Sequence, residues 1–181
     1  MHSGAAVRQT KLASGNFTKE DSRHWPVSHV MEIRRAIPQD AAVLTEIAFA
    51  AKRHWGYPER WIQGWKGVLT IRPEFIATHE THIAMVRRDP VGFYALVQRN
   101  NRMAMEHLWV LPNAMGQGVG RALFTHAVQR AKALGVDAIE IESDPNSEKF
   151  YEKMGTRRVG GNVIEMEGEQ RVLPVLIYDC R

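Results

Sequence analysis

A strand, a short loop with three glycines and a helix follow one another between residues 108 and 123, and this arrangement constrains the fold more than any other feature. The loop reads Met115-Gly116-Gln117-Gly118-Val119-Gly120, and the helix continues from Arg121. Because glycine has no Cβ, main-chain N–H groups can close around an anion, and the following helix adds its unpaired N-terminal donors and its positive end. The sequence therefore favours a phosphate or pyrophosphate site, although the glycine spacing alone is equally compatible with a tight, closely packed turn.

Two better-known phosphate-binding loops do not match this stretch. No Gly-Lys-Ser or Gly-Lys-Thr follows the glycines, which excludes a P-loop. A dinucleotide-binding loop needs Gly or Ala three positions after Gly118 or Gly120, where this chain has Arg121 and Leu123. Glu140, about 20 residues further on, is the one feature that favours a dinucleotide loop.

Apolar periodicity predicts strands and helices in the order β-αα-βββ-α-β-α-ββ. The first strand starts at Met31, and two helices follow that are separated by Gly56-Tyr57-Pro58. The later elements are predicted at 82–87 and 91–98 with a turn at Asp89-Pro90, then at 103–111, 119–134, 138–142 and 147–154, and as two final strands. An antiparallel front half followed by a β-α-β crossover indicates a three-layer α/β domain of the α+β type, not a doubly wound sheet.

Composition and charge narrow the class of protein. The 181 residues suit one domain, which we expect at 31–181, with 1–30 as a mobile extension or vector-derived sequence because it has no sustained apolar period. That extension contributes half of the formal charge of +4, so the pI of 9.4 is weak evidence for nucleic-acid binding. No apolar run approaches the ~20 residues that span a bilayer, and because residues 1–30 have no apolar h-region, no signal peptide is expected. With Cys180 as its only cysteine, the chain is expected to be cytoplasmic, without membrane or nucleic-acid partners.

Two stretches carry a family resemblance. Leu108, Val110, Pro112, Gly118 and Gly120 fit the pattern Leu-x-Val-x-Pro followed by Arg/Gln-x-x-Gly-x-Gly/Ala, and 144–155 reads Asp-Pro-Asn-Ser-Glu-Lys-Phe-Tyr-Glu-Lys-Met-Gly. With this pair of motifs the chain resembles the GNAT superfamily of N-acetyltransferases over about residues 31–178. One departure is Met115, which stands where the family has Arg or Gln and keeps only the main-chain N–H of that position.

The resemblance implies acetyl-CoA as cosubstrate and a sheet that splays between the glycine-loop strand and the next strand, with the pantetheine arm in the gap. Contacts to the cosubstrate are expected from Leu108, Val110, Met115, Gly116, Gln117, Gly118, Val119, Gly120, Arg121 and Asn146. Asn146 could instead cap the following helix. The family transfers the acetyl group directly, so Cys180 need not be a nucleophile. No metal is expected, because His79 and His82 lack nearby cysteines or a helical His-Glu-x-x-His context.

Candidate catalytic residues lie on the two motifs. The matching family tyrosine is near the cosubstrate sulfur, which makes Tyr151 the expected general acid, with packing under its helix as the alternative. A base or a water chain must remove a proton from the ammonium, and Glu106 is the first candidate, with His107 and Glu142 as alternatives. Strand alternation places Glu106 and His107 on opposite faces, so only one of them should face the cleft.

The break between the two early helices carries candidate acceptor contacts. In the family these helices overhang the acceptor site, and aromatic rings bind cationic or flat molecules, so His54, Trp55 and Tyr57 are expected to contact the acceptor. Trp61 and Trp65 fit the apolar stripe of the second helix and are expected in the core.

These observations predict an N-acetyltransferase that acts on the primary amine of a small molecule. A protein N-terminal or lysine acetyltransferase is the alternative within the family. A non-catalytic acyl-CoA-binding sensor is disfavoured by the presence of Tyr151. The sequence leaves the identity of the acceptor and the formation of a homodimer open.

Overall fold

The computed structural model describes residues 31–100 and 102–181, so the extension expected at 1–30 lies outside the described residues. Within this part of the chain the strands form one seven-stranded sheet. The strands are β1 (Met31–Arg35), β2 (Glu80–Val86), β3 (Asp89–Arg99), β4 (Arg102–Val110), β5 (Ala138–Glu142), β6 (Arg157–Met166) and β7 (Glu169–Asp179).

The sheet is mixed and mostly antiparallel. Its strand order is β1-β2-β3-β4-β5-β7-β6, and β4 with β5 is the only parallel pair among the described strands. Parallel neighbours cannot be joined by a tight turn, and a helix connects this pair. The predicted fold class is confirmed, with an antiparallel front half followed by one crossover.

Helices cover both faces of this sheet. In the described chain they are α1 (Ala41–His54), α2 (Glu59–Gly64), α3 (Lys66–Leu69), α4 (Pro73–Thr78), α5 (Val119–Ala133) and α6 (Glu148–Lys153). Leu44 and Ile47 of α1 share one apolar core with Phe93 of β3, whereas Phe124 of α5 shares a second core with Tyr94. Because neighbouring residues of a strand face opposite sides of the sheet, Phe93 and Tyr94 belong to different cores, and the domain has three layers.

The segment between β1 and β2 holds four helices where the sequence pattern predicted two. The apolar stripe over 61–69 is interrupted at Trp65, whose φ of −85° and ψ of 3° fall outside the α-helical region. Gly64 precedes this break, and glycine costs a helix about 1 kcal/mol relative to alanine. Pro73 then starts α4 in the first-turn position that suits proline.

The β2–β3 hairpin turns at Arg87 and Arg88 and not at Asp89-Pro90. Both arginines have positive φ, 52° and 72°, which is the backbone conformation of a tight two-residue hairpin turn. Pro90 pairs with Met85 next to a register shift near the start of β3, where the missing N–H of proline is tolerated.

Candidate active site

The glycine loop connects β4 to α5 and has open space beside it. Gly116 and Gly118 have φ values of 75° and 86°, in the left-handed region that glycine adopts without strain. A Cβ added to either residue would meet no atom within 4 Å. An anion can therefore approach the loop and the N–H groups at the start of the 15-residue helix α5, which is the geometry that anion binding requires.

Gly120 serves a different purpose from the two glycines before it. A Cβ at this position would lie 3.4 Å from the Phe150 ring and 3.8 Å from the side chain of Val110. The missing side chain therefore lets α5 pack closely against α6. Tight packing explains Gly120, whereas Gly116 and Gly118 keep the geometry of an anion site.

Strands β4 and β5 separate after a short parallel stretch. Their pairing covers only 102–104 of β4 against 138–140 of β5, although β4 continues to Val110. Beyond Ala104 the edge of β4 that faces β5 borders a gap, and its main-chain groups there can bind an extended ligand. The splayed sheet that the family resemblance implied is thus present.

A cavity of about 480 Å³ lies beside this gap. Glu106 and His107 of β4 and Glu142 of β5 line it, so both strands that border the gap reach the cavity. The other charged and aromatic lining side chains are Lys52, Trp65, Arg72, Phe75, Trp109, Asp144 and Arg171. Both the volume and the mixture of apolar and polar groups are typical of a site for a small molecule.

A β-bulge interrupts the alternation that was expected at Glu106 and His107. Strand β3 pairs Ala95 with His107 and Leu96 with Met105, which leaves Glu106 as an extra residue in β4. Bulges redirect the side chains around them. Both Glu106 and His107 consequently line the cavity, and the expectation that only one of them faces the cleft is wrong.

His107 is poorly suited to accept a proton. Its Nδ1 accepts a hydrogen bond from Nε1 of Trp109 at 3.1 Å, and because an indole N–H can only donate, the neutral imidazole must carry its hydrogen on Nε2. Burial lowers the pKa of His107 to about 4. At neutral pH the ring is uncharged and its accepting nitrogen is occupied, so Glu106 and Glu142 are the better candidates for the base.

The two glutamates have different partners. Arg99 donates a hydrogen bond to Glu106 at 2.8 Å, and the Glu106 side chain is still 40% exposed. The amide of Asn162 donates to Glu142. A carboxylate has about four lone-pair sites, so each glutamate can accept a further hydrogen bond from a ligand or a water.

Asp144 holds together a polar cluster in the cavity wall. Its carboxylate accepts hydrogen bonds from Lys52 Nζ at 2.6 Å, the Tyr57 hydroxyl at 2.9 Å and the main-chain N–H of Asn146 at 2.9 Å. The side chains of Lys52 and Asp144 are only 12% and 10% exposed. Burial opposes ionisation of Asp144, but the hydrogen bond and the charge of Lys52 outweigh it and hold the pKa of Asp144 below its usual 3.8.

Asn146 belongs to this cluster. Its side-chain amide donates to the Tyr57 hydroxyl at 2.8 Å and to Asp144 at 3.1 Å. The residue at the N-cap of α6 is Ser147, so the Asn146 side chain does not cap that helix. Its hydrogen bond to Tyr57 instead links the segment before α6 to the connection between α1 and α2.

Tyr57, Trp61 and Trp65 form an aromatic group beside the Asp144 cluster. The ring centroid of Trp65 lies 5.2 Å from that of Tyr57 and 6.0 Å from that of Trp61. Lys52 Nζ is 4.3 Å from the Trp65 centroid, and the Arg171 guanidinium carbon is 4.6 Å from the Tyr57 centroid. Two cations therefore contact aromatic faces, an attractive arrangement.

Of the three residues predicted to contact the acceptor, the structure brings only Tyr57 into this group. His54 and Trp55 are exposed. None of the three is among the residues that line the cavity, but the Tyr57 hydroxyl hydrogen-bonds two that do, Asp144 and Arg171. Helix α1 ends at His54 and Trp55 is its C-cap, so both residues lie at the exposed C-terminal end of this helix. Trp61 is buried and Trp65 packs against the core that includes α1, as expected of both, and Trp65 also lines the cavity.

Tyr151 lies on α6 and is 7% exposed. Its ring centroid is 5.1 Å from that of Phe150 and 6.0 Å from that of Phe124, so the ring has a packing role. Burial, and after it the Asp144 carboxylate, raise the pKa of Tyr151. The hydroxyl is therefore protonated at neutral pH, as a proton donor must be.

Sequence reasoning did not single out Lys52, Asp144 or Arg171. Asp144 had a signal, since an Asp before a Pro-Asn turn commonly accepts a hydrogen bond from the turn. Lys52 is 92 residues from its partner Asp144, and Arg171 is 114 residues from its partner Tyr57. Only the tertiary fold brings these pairs together.

Two further observations concern residues 31–100 and 102–181. No group of three or more His, Cys, Asp or Glu side chains comes together there in a way that could hold a metal ion. In the same residues, no helix has both the length and the apolar character needed to cross a membrane.

Comparison with known proteins identifies the family. Residues 44–156 match the acetyltransferase (GNAT) family. The peptidyl-lysine N-acetyltransferase YjaB of Salmonella typhimurium is 30% identical over 106 residues, which cover 58% of this chain and 69% of that protein.

Two solved structures share the fold. The GCN5-related N-acetyltransferase (aminotransferase, class II) from Rhodopseudomonas palustris has a TM-score of 0.71 at 23% identity, covering 86% of this chain and 99% of that chain. The PaiA N-acetyltransferase from Thermoplasma acidophilum, in complex with coenzyme A, has a TM-score of 0.67 at 19% identity, covering 83% of this chain and 99% of that chain. The family match spans more than half of the chain and includes the glycine loop and Tyr151. The chain therefore belongs to the acetyltransferase (GNAT) family, and it is an acyltransferase of the N-acetyltransferase kind.

Proposed function

We propose that this enzyme moves the acetyl group of acetyl-CoA to the primary amine of a small molecule in the 480 Å³ cavity. The position of that cavity carries the proposal. Glu106 of β4 and Glu142 of β5 line it, and these are the strands whose separation leaves the gap. An amine in the cavity would therefore lie next to a thioester held in the gap, as direct transfer requires.

The glycine loop fits the diphosphate of coenzyme A. The open space at Gly116 and Gly118 and the free N–H groups at the start of α5 suit an anion, and the unpaired edge of β4 suits an extended arm. The proposed contacts are Leu108, Val110, Met115, Gly116, Gln117, Gly118, Val119, Gly120, Arg121 and Asn146. The GNAT family uses acetyl-CoA, and the coenzyme A complex of the PaiA structure supports the same assignment.

The chemistry needs one base and one acid. Bound acetyl-CoA supplies an acetyl thioester. Glu106 takes a proton from the acceptor ammonium through water, and the neutral nitrogen then attacks the carbonyl carbon. As the C–N bond forms and the C–S bond breaks, Tyr151 donates its hydroxyl proton to the departing sulfur, and the second proton that the attacking nitrogen loses returns through water to the Tyr151 oxygen. No bond to the enzyme forms, so Cys180 has no part in the reaction.

Acetylation of a protein lysine is a second candidate. The observation that favours it is the similarity to YjaB, which is a peptidyl-lysine N-acetyltransferase. In this candidate the cavity would receive only a lysine side chain, and the rest of the protein substrate would remain outside.

The experiment that tests the proposal is an acetyl-transfer assay that detects the released coenzyme A thiol. Small primary amines and lysine-containing peptides are compared at matched concentrations, and mass spectrometry identifies the acetylated product. The proposal predicts that at least one small amine has a higher kcat/KM than any peptide. Better use of peptides would favour the second candidate, and thiol release without an acetylated amine would contradict both.

A further inference from the structure

The charged side chains of the cavity wall are not all paired with one another. Lys52 pairs with Asp144 at 2.6 Å, and Glu106 pairs with Arg99 at 2.8 Å. No carboxylate pairs with Arg171 in the part of the chain that the structure describes. The hydrogen bond that Arg171 makes there runs from its Nη2 to the Tyr57 hydroxyl at 2.6 Å. Within the described residues, Arg171 and Arg72 are thus two cations of the wall that lack an anionic partner, and of these only Arg171 hydrogen-bonds the Tyr57 hydroxyl.

The Arg171 guanidinium is held in a defined orientation. Its central carbon lies 4.6 Å from the Tyr57 ring centroid and 5.5 Å from the centroids of both Trp61 and Trp65. A guanidinium presents five N–H donors in a planar fork that matches the two oxygens of a carboxylate. Since one donor is used by Tyr57, the remaining donors can bind an anion in the cavity.

The opposite charge lies elsewhere in the same wall. The negative charge is that of Glu142, whose neighbour across the β5–β7 strand pair is Val175. Val175 is four residues along β7 from Arg171. At about 3.4 Å per residue, the backbones of Glu142 and Arg171 are roughly 14 Å apart, and both side chains line the cavity. A ligand with an ammonium group at one end and an anion at the other would match this distribution of charge.

We propose that the acceptor is a small primary amine that also carries a carboxylate, which Arg171 binds while the amine is directed toward Glu106 and Glu142. The inference rests on the proposed function, because it names the acceptor class of the same site. A carboxylate fits better than a phosphate. Asp144 binds the same Tyr57 hydroxyl as Arg171 does, and its negative charge would repel a doubly charged anion more strongly.

The test compares amino acids with the corresponding amino acid amides, so that each pair of acceptors differs only in the carboxylate. The parent should have a kcat/KM at least about tenfold higher for the carboxylate, as a charge-assisted bidentate pair allows. Arg171→Gln should bring this ratio close to one, mainly through KM, and Arg171→Lys should keep part of it. Arg72→Gln is the matched control, since it removes one positive charge from the same wall and should keep the ratio.

Calorimetry with the same acceptor pairs and coenzyme A-bound protein measures the preference without turnover, and thermal unfolding verifies that each variant is folded. If no amine is acetylated, the proposed function fails, and the binding preference still decides the inference. Should both members of each pair be acetylated equally well, or should lysine peptides be the best acceptors, the inference is overturned. A preference that survives Arg171→Gln, or that Arg72→Gln removes equally, also overturns it.

Discussion

Substitution of Gly118 by valine should weaken coenzyme A binding strongly while the fold survives. Gly118 is the N-cap of α5, with a φ of 86° and a ψ of −6°. A residue with a side chain in this left-handed backbone region lowers the free energy of unfolding by about 1–2 kcal/mol. No atom lies within 4 Å of a Cβ added at Gly118, so no clash adds to this cost. The free energy of unfolding should therefore fall by about 2 kcal/mol. The valine side chain would fill the space through which the diphosphate approaches, and a loss of about 1.4 kcal/mol or more raises Kd at least tenfold.

The other end of the same helix offers a matched control. Gly135 has a φ of 71°, and an added Cβ there also meets nothing within 4 Å. Gly135→Val should lose a similar free energy of unfolding but keep the Kd of the parent. Isothermal titration calorimetry with coenzyme A, together with thermal unfolding, measures both quantities. If the two variants bind coenzyme A equally well, the loop does not hold the diphosphate and the reasoning from its open geometry is refuted.

Three further predictions concern the base, the extension and the buried ion pair. Glu106→Gln should lower kcat/KM about 100-fold, whereas an equal loss in Glu142→Gln with no loss in Glu106→Gln would show that Glu142 of β5 is the base. A chain that begins at Met31 should unfold within a few degrees of the full-length protein by calorimetry, and a large loss of stability would contradict the domain boundary. Lys52→Met should lower the free energy of unfolding by about 3 kcal/mol, because Asp144 stays buried without its cation. Because the pKa of Asp144 is lower in the folded protein than its usual 3.8, ionised Asp144 stabilises the fold above pH 3.8. This stabilisation is lost as the pH falls through the pKa of the folded protein. Lys52→Met removes the cation that lowers this pKa, so its acid unfolding should begin at a higher pH than that of the parent.

Much of the fold was predictable because its signals are local. The glycines and the apolar period of α5 are adjacent in sequence, so the loop and its helix could be placed without any long-range information. The second early helix was harder, because one apolar stripe over 61–69 hides a break whose position depends on Gly64 and on the packing of Trp65. Local helix propensity indicates that a break can occur in this stretch. It does not give the residue at which the break occurs, because tertiary packing determines that position.

The candidate site was predictable only in part. The β-bulge at Glu106 depends on how β4 pairs with β3, and strict alternation is the default when that pairing is unknown. Arg171 and Lys52 have no sequence signal, since each gains its partner from a distant element. Tyr57, in contrast, could be singled out because it lies in the break between two predicted helices, and its hydroxyl does belong to the polar cluster around Asp144.

Tyr151→Phe provides the most direct test that acetyl transfer in this cleft uses Tyr151 as its acid. Phenylalanine keeps the ring and its contacts with Phe150 and Phe124 but removes the donor. Tyr178→Phe is the control, because its ring also contacts Phe124, at 5.5 Å, and it has no proposed chemical role. Under single-turnover conditions with a good acceptor, we expect the rate of thiol release to fall about 100-fold in Tyr151→Phe and to stay at the parent value in Tyr178→Phe. Both variants should bind coenzyme A with the affinity of the parent. An unchanged rate in Tyr151→Phe would show that the tyrosine only packs and that the thiolate leaves without its help.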